Sequence, residues 1–241
     1  PQEAFTKYRY RMMDELNAYM KSLDPSYALM TEGTVDAILP SMDIIHNVAF
    51  ITSNSFPDMF RYSFPESLVI QVNDSPALSR TTVNFNMING FRHLIQCRYS
   101  PDVSYLEKGI VPTAADYAGQ HINYPPPLWT MNQATPDETF SYAHQVIGFE
   151  NEHAHFFRKG KFISSQGINC TGIDIEAKGF VSGDQLGVVV WNKNLTEERV
   201  FNVTAQGYRL KDIRQPAGQA HGDMKRIAAN SVKLLVFEKV K

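Results

Sequence analysis

The chain has 241 residues, which is long enough for one large domain or two ordinary domains with a real hydrophobic core. Its formal charge of -2, spread over mixed signs, gives no electrostatic footprint for nucleic acid or an anionic membrane. Cys97 and Cys170 permit one disulfide at most, and no apolar run is long enough for a membrane span. The chain begins at Pro1 rather than at methionine, so we expect a processed or trimmed piece of a longer polypeptide.

The first predicted elements are a helix and a strand. Between residues 2 and 23, apolar side chains recur every three or four positions, with charged residues on the other side. Asp24-Pro25 ends this helix, because proline disfavours helical geometry in the residue before it. The apolar run 27–30 then predicts a buried strand that stops at Thr31-Glu32-Gly33. Helix followed by strand, when repeated, is typical of α/β architecture with parallel strands.

The next segments are less regular. Residues 40–50 have the spacing of a short helix, and the aromatic run 59–64 has the composition of a strand. Residues 67–72 predict a second strand, which ends at a turn carrying Asp74. From residue 79 to residue 97 the apolar spacing predicts one helix, in which Gly90 is a weak point that costs about 1 kcal/mol relative to alanine.

A long segment without periodicity precedes the last predicted helix. Residues 99–136 are rich in Pro, Tyr and Asp, and we interpret them as a surface excursion that roofs a cleft or remains disordered. Residues 137–158 predict a helix that Gly160 ends, because glycine tolerates positive φ after a helix.

The carboxyl-terminal third has a different pattern. Short β-prone segments recur about every ten residues after Lys161, with turns between them. We therefore predict α/β plus all-β architecture: a partial (β/α) barrel over residues 1–160 and a small antiparallel β-sandwich over residues 161–241.

Carboxylates that follow apolar runs are the candidate catalytic residues. In a (β/α) barrel the chemistry lies where each strand ends, on the carboxyl face. Glu32, directly after the first predicted strand and before glycine, is the first candidate for an acid, a base or a nucleophile. A helix cap or a solvated side chain is an equally good interpretation of Glu32. Glycoside hydrolysis typically needs a second carboxylate, and Asp36 and Asp74 are possible second acids or substrate ligands. For each of these aspartates, and for Asp43, a role in a turn or helix cap is the stronger interpretation.

Aromatic and histidine side chains are candidate sugar ligands. Trp129, Tyr124 and Tyr117, which lie in the long excursion, and Phe60 are suited to stacking on sugar rings, and His46 to binding a hydroxyl. Core packing is an equally good interpretation of Phe60, and a structural role is the stronger interpretation of His46. His153 and His155 are two apart on a predicted helix, so they point in different directions and form no chelating pair. With no zinc motif and no glycine-rich phosphate loop, we expect neither a metal nor a cofactor.

Several sequence segments resemble those of one enzyme family. The chain has these segments in order: a strand ending in TEG, then FRYSFPE, then NFNMINGFRHLIQCR, then a helix leading to HFFRKGKFISSQG, and finally an all-β tail. This order resembles the carboxyl-terminal portion of bacterial (β/α)8 glycoside hydrolases. Polysaccharide-degrading gut bacteria have similar barrel enzymes followed by a β-sandwich. The resemblance implies a carbohydrate substrate, an acidic residue at the position of Glu32, and a periplasmic or secreted location.

The resemblance also implies that part of the barrel is missing. A complete barrel needs about 250 residues, and only about 160 precede the predicted sandwich. We therefore expect the chain to pair with the amino-terminal barrel fragment or with a second copy of itself, because a partial barrel leaves strand edges open. The alternative function is a non-catalytic carbohydrate-binding or assembly module.

Overall fold

The computed structural model describes residues 2–32, 36–47, 57–74, 79–97, 99–117, 135–217 and 225–240. In the amino-terminal part, helices alternate with strands of one parallel sheet. The helices are α1 (Gln2–Leu23), α2 (Pro57–Ser63), α3 (Arg80–Asn89), α4 (Ser100–Lys108), α5 (Pro136–Glu152) and α6 (Ala154–Phe157). The strands of this part are β1 (Met30–Glu32), β2 (Ile44–Asn47), β3 (Leu68–Asp74) and β4 (Arg92–Gln96). Two 3₁₀ helices span Asp36–Ser41 and Ala114–Tyr117.

The four strands form a sheet in the order β1-β2-β3-β4, with every pair parallel. Ile45 and Val69 are fully buried on one face, where they pack with Leu39 of the first 3₁₀ helix, Phe60 of α2 and Phe91. Successive side chains of a strand alternate between the faces. The alternate residues of β1, β2 and β3 therefore face away from the helices.

The carboxyl-terminal part is antiparallel. Its strands are β5 (Lys161–Ser164), β6 (Ile168–Thr171), β7 (Ile175–Ser182), β8 (Gln185–Asn192), β9 (Arg199–Val200), β10 (Asn202–Ala205), β11 (Tyr208–Arg214), β12 (Arg226–Ile227) and β13 (Val232–Lys239). Five of them form a sheet in the order β11-β13-β8-β7-β5, and β6 pairs with β10 and β9 with β12.

The five-stranded sheet is covered on both faces. On β8, Val189 and Trp191 pack against α3, α5 and α6, whereas Leu186, Val188 and Val190 pack against residues of the two small sheets. Burial on both faces explains why β8 and β13 are almost continuously apolar instead of alternating. The carboxyl-terminal region is thus β-rich, as predicted, and its arrangement as a β-sandwich stays a prediction.

Several predicted elements are confirmed and several are wrong. The first helix, the last strand and the start of α5 agree with the sequence pattern. Residues 59–63 of the aromatic run lie in α2 rather than in a strand. Of the predicted helix over 40–50, the described residues 40–47 hold the end of a 3₁₀ helix and strand β2 instead. In the predicted excursion, residues 100–108 form α4, and the domain boundary near residue 160 stays a prediction.

The predicted helix over 79–97 is two elements. Helix α3 ends at Asn89, Gly90 adopts the left-handed conformation with φ of 66°, and residues 92–96 form β4. The predicted weak point is therefore a C-cap, where glycine is the favoured residue. Both cysteines are free, and no described helix combines the length and the apolar composition of a membrane span.

We expect Gly90→Ala to destabilise the protein more than a left-handed cap alone explains. A Cβ at this position would lie 2.8 Å from Cε1 of Phe180, whose ring is fully buried. Gly109 is the matched control, because it caps α4 at φ of 68° with no atom within 4 Å of its Cβ position. Urea denaturation should show Gly90→Ala losing about 1–3 kcal/mol more than Gly109→Ala. Equal losses would mean that the Phe180 contact relaxes without cost.

Lys178 of β7 connects the two parts of the chain. Its side chain is 7% exposed, and its ammonium forms an ion pair with Asp58 of α2, donates to Oδ1 of Asn89 at 2.7 Å, and pairs with Glu176 at 2.9 Å. Burial raises the pKa of Glu176, but Lys178 and Lys193 outweigh burial and hold this pKa below its usual range. Glu176 is therefore ionised in the folded state.

This arrangement predicts acid sensitivity. A carboxyl group whose pKa is depressed on folding stabilises the protein above its unfolded pKa, near 4.3, and this contribution is lost as the pH falls through the folded pKa. Urea midpoints measured from pH 7 to pH 3 should fall less steeply for Glu176→Gln than for the wild type. Glu107→Gln, an exposed change on α4, serves as the control and should leave the slope unchanged. If the urea midpoints of all three proteins fell in parallel with pH, the ionisation of Glu176 would not contribute to stability.

Candidate active site

Glu32 is the last residue of β1, at the carboxyl end of the parallel sheet. Thr31 before it is in register with Ile45 of the packed face, so Glu32 points to the opposite face. The side chain of Glu32 is exposed, and its carboxylate makes no hydrogen bond or ion pair with a described residue. It is thus available to a ligand on the face that the helices leave open.

His46 of β2 is the register partner of Glu32. Neighbouring strands lie about 4.8 Å apart, and paired residues of parallel strands project from the same face. The two side chains therefore lie side by side. The Nε2 atom of His46 is buried, and no hydrogen-bond partner satisfies it among the described residues. A buried polar atom normally has a partner, so this nitrogen is suited to a ligand hydroxyl or to the neighbouring carboxylate.

The other predicted acids are only partly described. The backbone of Asp36 begins the first 3₁₀ helix, four residues after Glu32. The backbone of Asp74 ends β3, which is separated from β1 by one strand. The side chains of both aspartates lie outside the described residues, so their roles as a second acid or substrate ligand stay predictions.

Asp43 has a structural role, which agrees with the stronger of its two interpretations. Its carboxylate accepts a hydrogen bond from the backbone N–H of Leu29 at 2.8 Å and pairs with Lys21 of α1 at 2.9 Å. The Leu29 hydrogen bond, followed by Lys21, holds the pKa of Asp43 below its usual range. Because Asp43 precedes β2, this ionised group fastens α1 to the amino-terminal end of the sheet, away from Glu32.

The predicted aromatic ligands divide into two groups. Trp129 and Tyr124 lie outside the described residues, so their stacking role stays a prediction. Tyr117 and Phe60 are buried, and the hydroxyl of Tyr117 donates to Oδ1 of Asp102 at 2.9 Å. These two rings belong to the protein core, as the alternative interpretation of Phe60 proposed, and they are not available for stacking on sugars.

His153 has a structural role, whereas His155 is exposed. His153 is buried, with Nδ1 2.8 Å from the carbonyl oxygen of Phe149 and Nε2 2.8 Å from Nη1 of Arg214. Arg214 must donate to Nε2, so Nδ1 carries the proton and donates to the carbonyl. Among the described residues, no group of three or more His, Cys, Asp or Glu side chains is placed to hold a metal ion.

A separate groove of about 660 Å³ lies between α5 and β11. Gly148, Glu152 and Arg214 are among its lining residues, and no residue of β1–β4 contributes to it. The groove is therefore distinct from the carboxyl end of the parallel sheet.

Sequence reasoning missed β4, whose carboxyl end also lies at this edge of the sheet. The signal was present: glycine follows the helical segment, and the run RHLIQ after it is short and flanked by Phe91 and Cys97. The pairing of Glu32 with His46 was also missed, because strand register between separated segments cannot be read from one sequence.

Solved structures of glycoside hydrolases share this fold. The maltogenic α-amylase AmyB from Thermotoga neapolitana matches 95% of this chain with a TM-score of 0.51 and 12% identity. Amy13B from Eubacterium rectale matches 98% with a TM-score of 0.55 and 9% identity. The trehalose-6-phosphate hydrolase of Bacillus licheniformis matches 96% with a TM-score of 0.54 and 12% identity.

The match covers only part of each enzyme: 59%, 57% and 59% of these three chains, respectively. No family sequence profile matches the chain, and no curated protein has significant sequence similarity to it. The structural likeness confirms the predicted resemblance at the level of fold: the chain is built like the carboxyl-terminal portion of an amylase-type barrel glycoside hydrolase.

Proposed function

We propose that this chain forms one side of the substrate cleft of a glycoside hydrolase, with Glu32 as a catalytic carboxylate. The observation that carries the proposal is the position of Glu32 at the carboxyl end of a parallel strand, exposed and beside His46. Carboxyl ends of barrel strands are where catalytic residues of this architecture lie. Likeness to solved glycoside hydrolases supports carbohydrate as the substrate class.

Glu32 is chemically suited to either role in glycosidic bond cleavage. A carboxylate donates a proton to the leaving oxygen when protonated, and attacks the sugar or activates water when ionised. The buried Nε2 of His46, which has no hydrogen-bond partner among the described residues, would hold a sugar hydroxyl against Glu32. Asp36 and Asp74 are the proposed second acid or substrate ligands, and Trp129 and Tyr124 the proposed stacking residues. We also propose that the two small sheets form the second layer of a β-sandwich.

A hydrolysis screen tests the proposed function. The chain, together with the polypeptide that completes the barrel, is incubated with α- and β-linked oligosaccharides, and released reducing sugar is measured. Release from at least one linkage class supports the hydrolase. Binding without release, weakened by Trp129→Ala or Tyr124→Ala but not by Glu32→Gln, would instead support a non-catalytic carbohydrate-binding module.

A further inference from the structure

The groove between α5 and β11 has a helix-interior glycine in its wall. Gly148 lies within α5, where glycine is less favourable than any residue except proline. Beyond its own helical backbone and chain neighbours, no described atom lies within 4 Å of where its Cβ would be. Neither a turn nor a close packing contact therefore requires glycine here. Because Gly148 lines the groove of about 660 Å³, its missing side chain leaves that space open.

A fixed arginine lines the other wall of the groove. Arg214 ends β11, and it donates from Nε to the carboxylate of Asp212 at 2.7 Å and from Nη1 to Nε2 of His153 at 2.8 Å. The hydrogen bond from Arg214 is the main cause that holds the pKa of Asp212 below its usual range, so this carboxylate is ionised and balances the arginine. The Nη2 atom of Arg214 has no hydrogen-bond partner among the described residues and is left as a donor for a ligand.

Helix α5 adds further polar groups to the groove. The side chain of Glu152 is exposed and that of Gln145 is half-buried, and neither forms a hydrogen bond or an ion pair with a described residue. A carboxylate only accepts hydrogen bonds, whereas an amide both donates and accepts them. Phe149 and Ile213 contribute the apolar part of the lining. The groove thus combines a donor, an acceptor and an amide with apolar surface.

This combination favours one class of ligand. A phosphate or a carboxylate would bind Arg214 but be repelled by Glu152, and an amine would bind Glu152 but be repelled by Arg214. Sugar hydroxyls both donate and accept, and the C–H faces of a sugar ring suit Phe149 and Ile213. The volume lies in the range of about 300–1,000 Å³ typical of small-molecule sites. We propose that the groove is a second carbohydrate-binding site, which takes a neutral oligosaccharide and is separate from the cleft at Glu32.

The second site goes beyond the proposed function, because no residue of β1–β4 lines the groove. A sugar bound there is held without meeting the proposed catalytic carboxylate. That this sugar is part of the substrate of a hydrolase rests on the proposed function. The donor and acceptor pattern of the groove does not depend on it, so the two proposals can fail separately.

An NMR titration of the full chain tests this inference. The isotope-labelled protein carries Glu32→Gln, which removes the proposed catalytic carboxylate, so that binding is measured without cleavage. The probes are a panel of neutral α- and β-linked trisaccharides, with inorganic phosphate and the diamine putrescine as the acceptor-only and donor-only controls. The amide signal of Gly148 and the guanidinium signals of Arg214 report on the groove, and the imidazole of His46 reports on the cleft.

We expect saturable shifts of Gly148 and Arg214 with at least one trisaccharide, and none with phosphate or putrescine. Gly148→Leu should abolish the shifts of Arg214 by filling the groove, whereas Gly148→Ala should bind within about twofold of the parent protein. Both residues are better helix formers than glycine, so neither variant should lower the melting temperature. Glu152→Ala should weaken binding about tenfold, the loss of one hydrogen bond to a charged group. Glu107→Ala, an exposed change on α4, should have no effect.

Three results would overturn the inference: no shift of Gly148 and Arg214 with any trisaccharide, binding that survives Gly148→Leu, or saturable shifts of the groove signals with phosphate or putrescine. Shifts of His46 alone would remove the second site and leave the proposed cleft intact. Shifts of Gly148 and Arg214 alone would support the second site and count against the cleft at Glu32.

Discussion

Glu32→Gln is expected to reduce sugar release by about 10²–10⁴-fold, the contribution of a positioned acid or base. Glutamine preserves the shape of the side chain but neither donates an acidic proton nor attacks as a carboxylate. The fold should be unaffected, because the Glu32 side chain is exposed and its carboxylate makes no hydrogen bond or ion pair with a described residue. Initial rates on the best substrate of the hydrolysis screen measure the effect.

Glu107→Gln is the matched control for this prediction. Glu107 is an exposed glutamate on α4, outside the parallel sheet, so its loss should leave turnover within the error of the assay. Thermal unfolding curves of both variants should overlay that of the wild type. Unchanged turnover in Glu32→Gln would remove Glu32 from the chemistry and favour the non-catalytic carbohydrate-binding module.

Lys178→Met is expected to lower the free energy of unfolding by roughly 2–4 kcal/mol. Methionine fills a similar volume but leaves Oδ1 of the fully buried Asn89 without its donor, and Glu176 without its closest cation. The loss falls below that of a fully buried ion pair, because the carboxylate of Asp58 is 44% exposed and keeps contact with water. Urea denaturation measures the change.

Lys193→Met separates burial from charge. Lys193 pairs with the same Glu176 at 3.3 Å, but its side chain is 49% exposed. Exposed ion pairs contribute about 0–1 kcal/mol, so this variant should stay close to the wild type. If the two lysine variants lost the same free energy, the buried hydrogen bond to Asn89 would not be what joins β7 to α3.

The elements predicted best from the sequence are those with one clear pattern, either helical periodicity or a continuous apolar run. Helix α1 and strand β13 have uninterrupted periodicity or apolar character, and both agree with the structure. The prediction of one helix over residues 79–97 was wrong because the apolar side chains of β4 continue the helical spacing of α3 across Gly90. The prediction of a strand over residues 59–64 was wrong because packing of Phe60 against the sheet outweighs the β preference of the aromatic residues.

The candidate site was predictable in one part only. Glu32 follows an apolar run and precedes glycine, and this local pattern suffices to place it at the end of a strand. Its neighbour His46 is 14 positions away, and their pairing depends on the register between β1 and β2. The exposure of α1 was not predictable, since an amphipathic pattern shows which face is apolar but not whether a partner covers it.

The most direct measurement is an NMR map of a bound oligosaccharide on the Glu32→Gln variant, which should bind substrate without cleaving it. The ligand is the best substrate from the hydrolysis screen. We predict that the largest shifts fall on the imidazole of His46 and the methyl group of Met30, beside residue 32 on the open face. Shifts confined to the groove between α5 and β11, around Gly148 and Arg214, would contradict it.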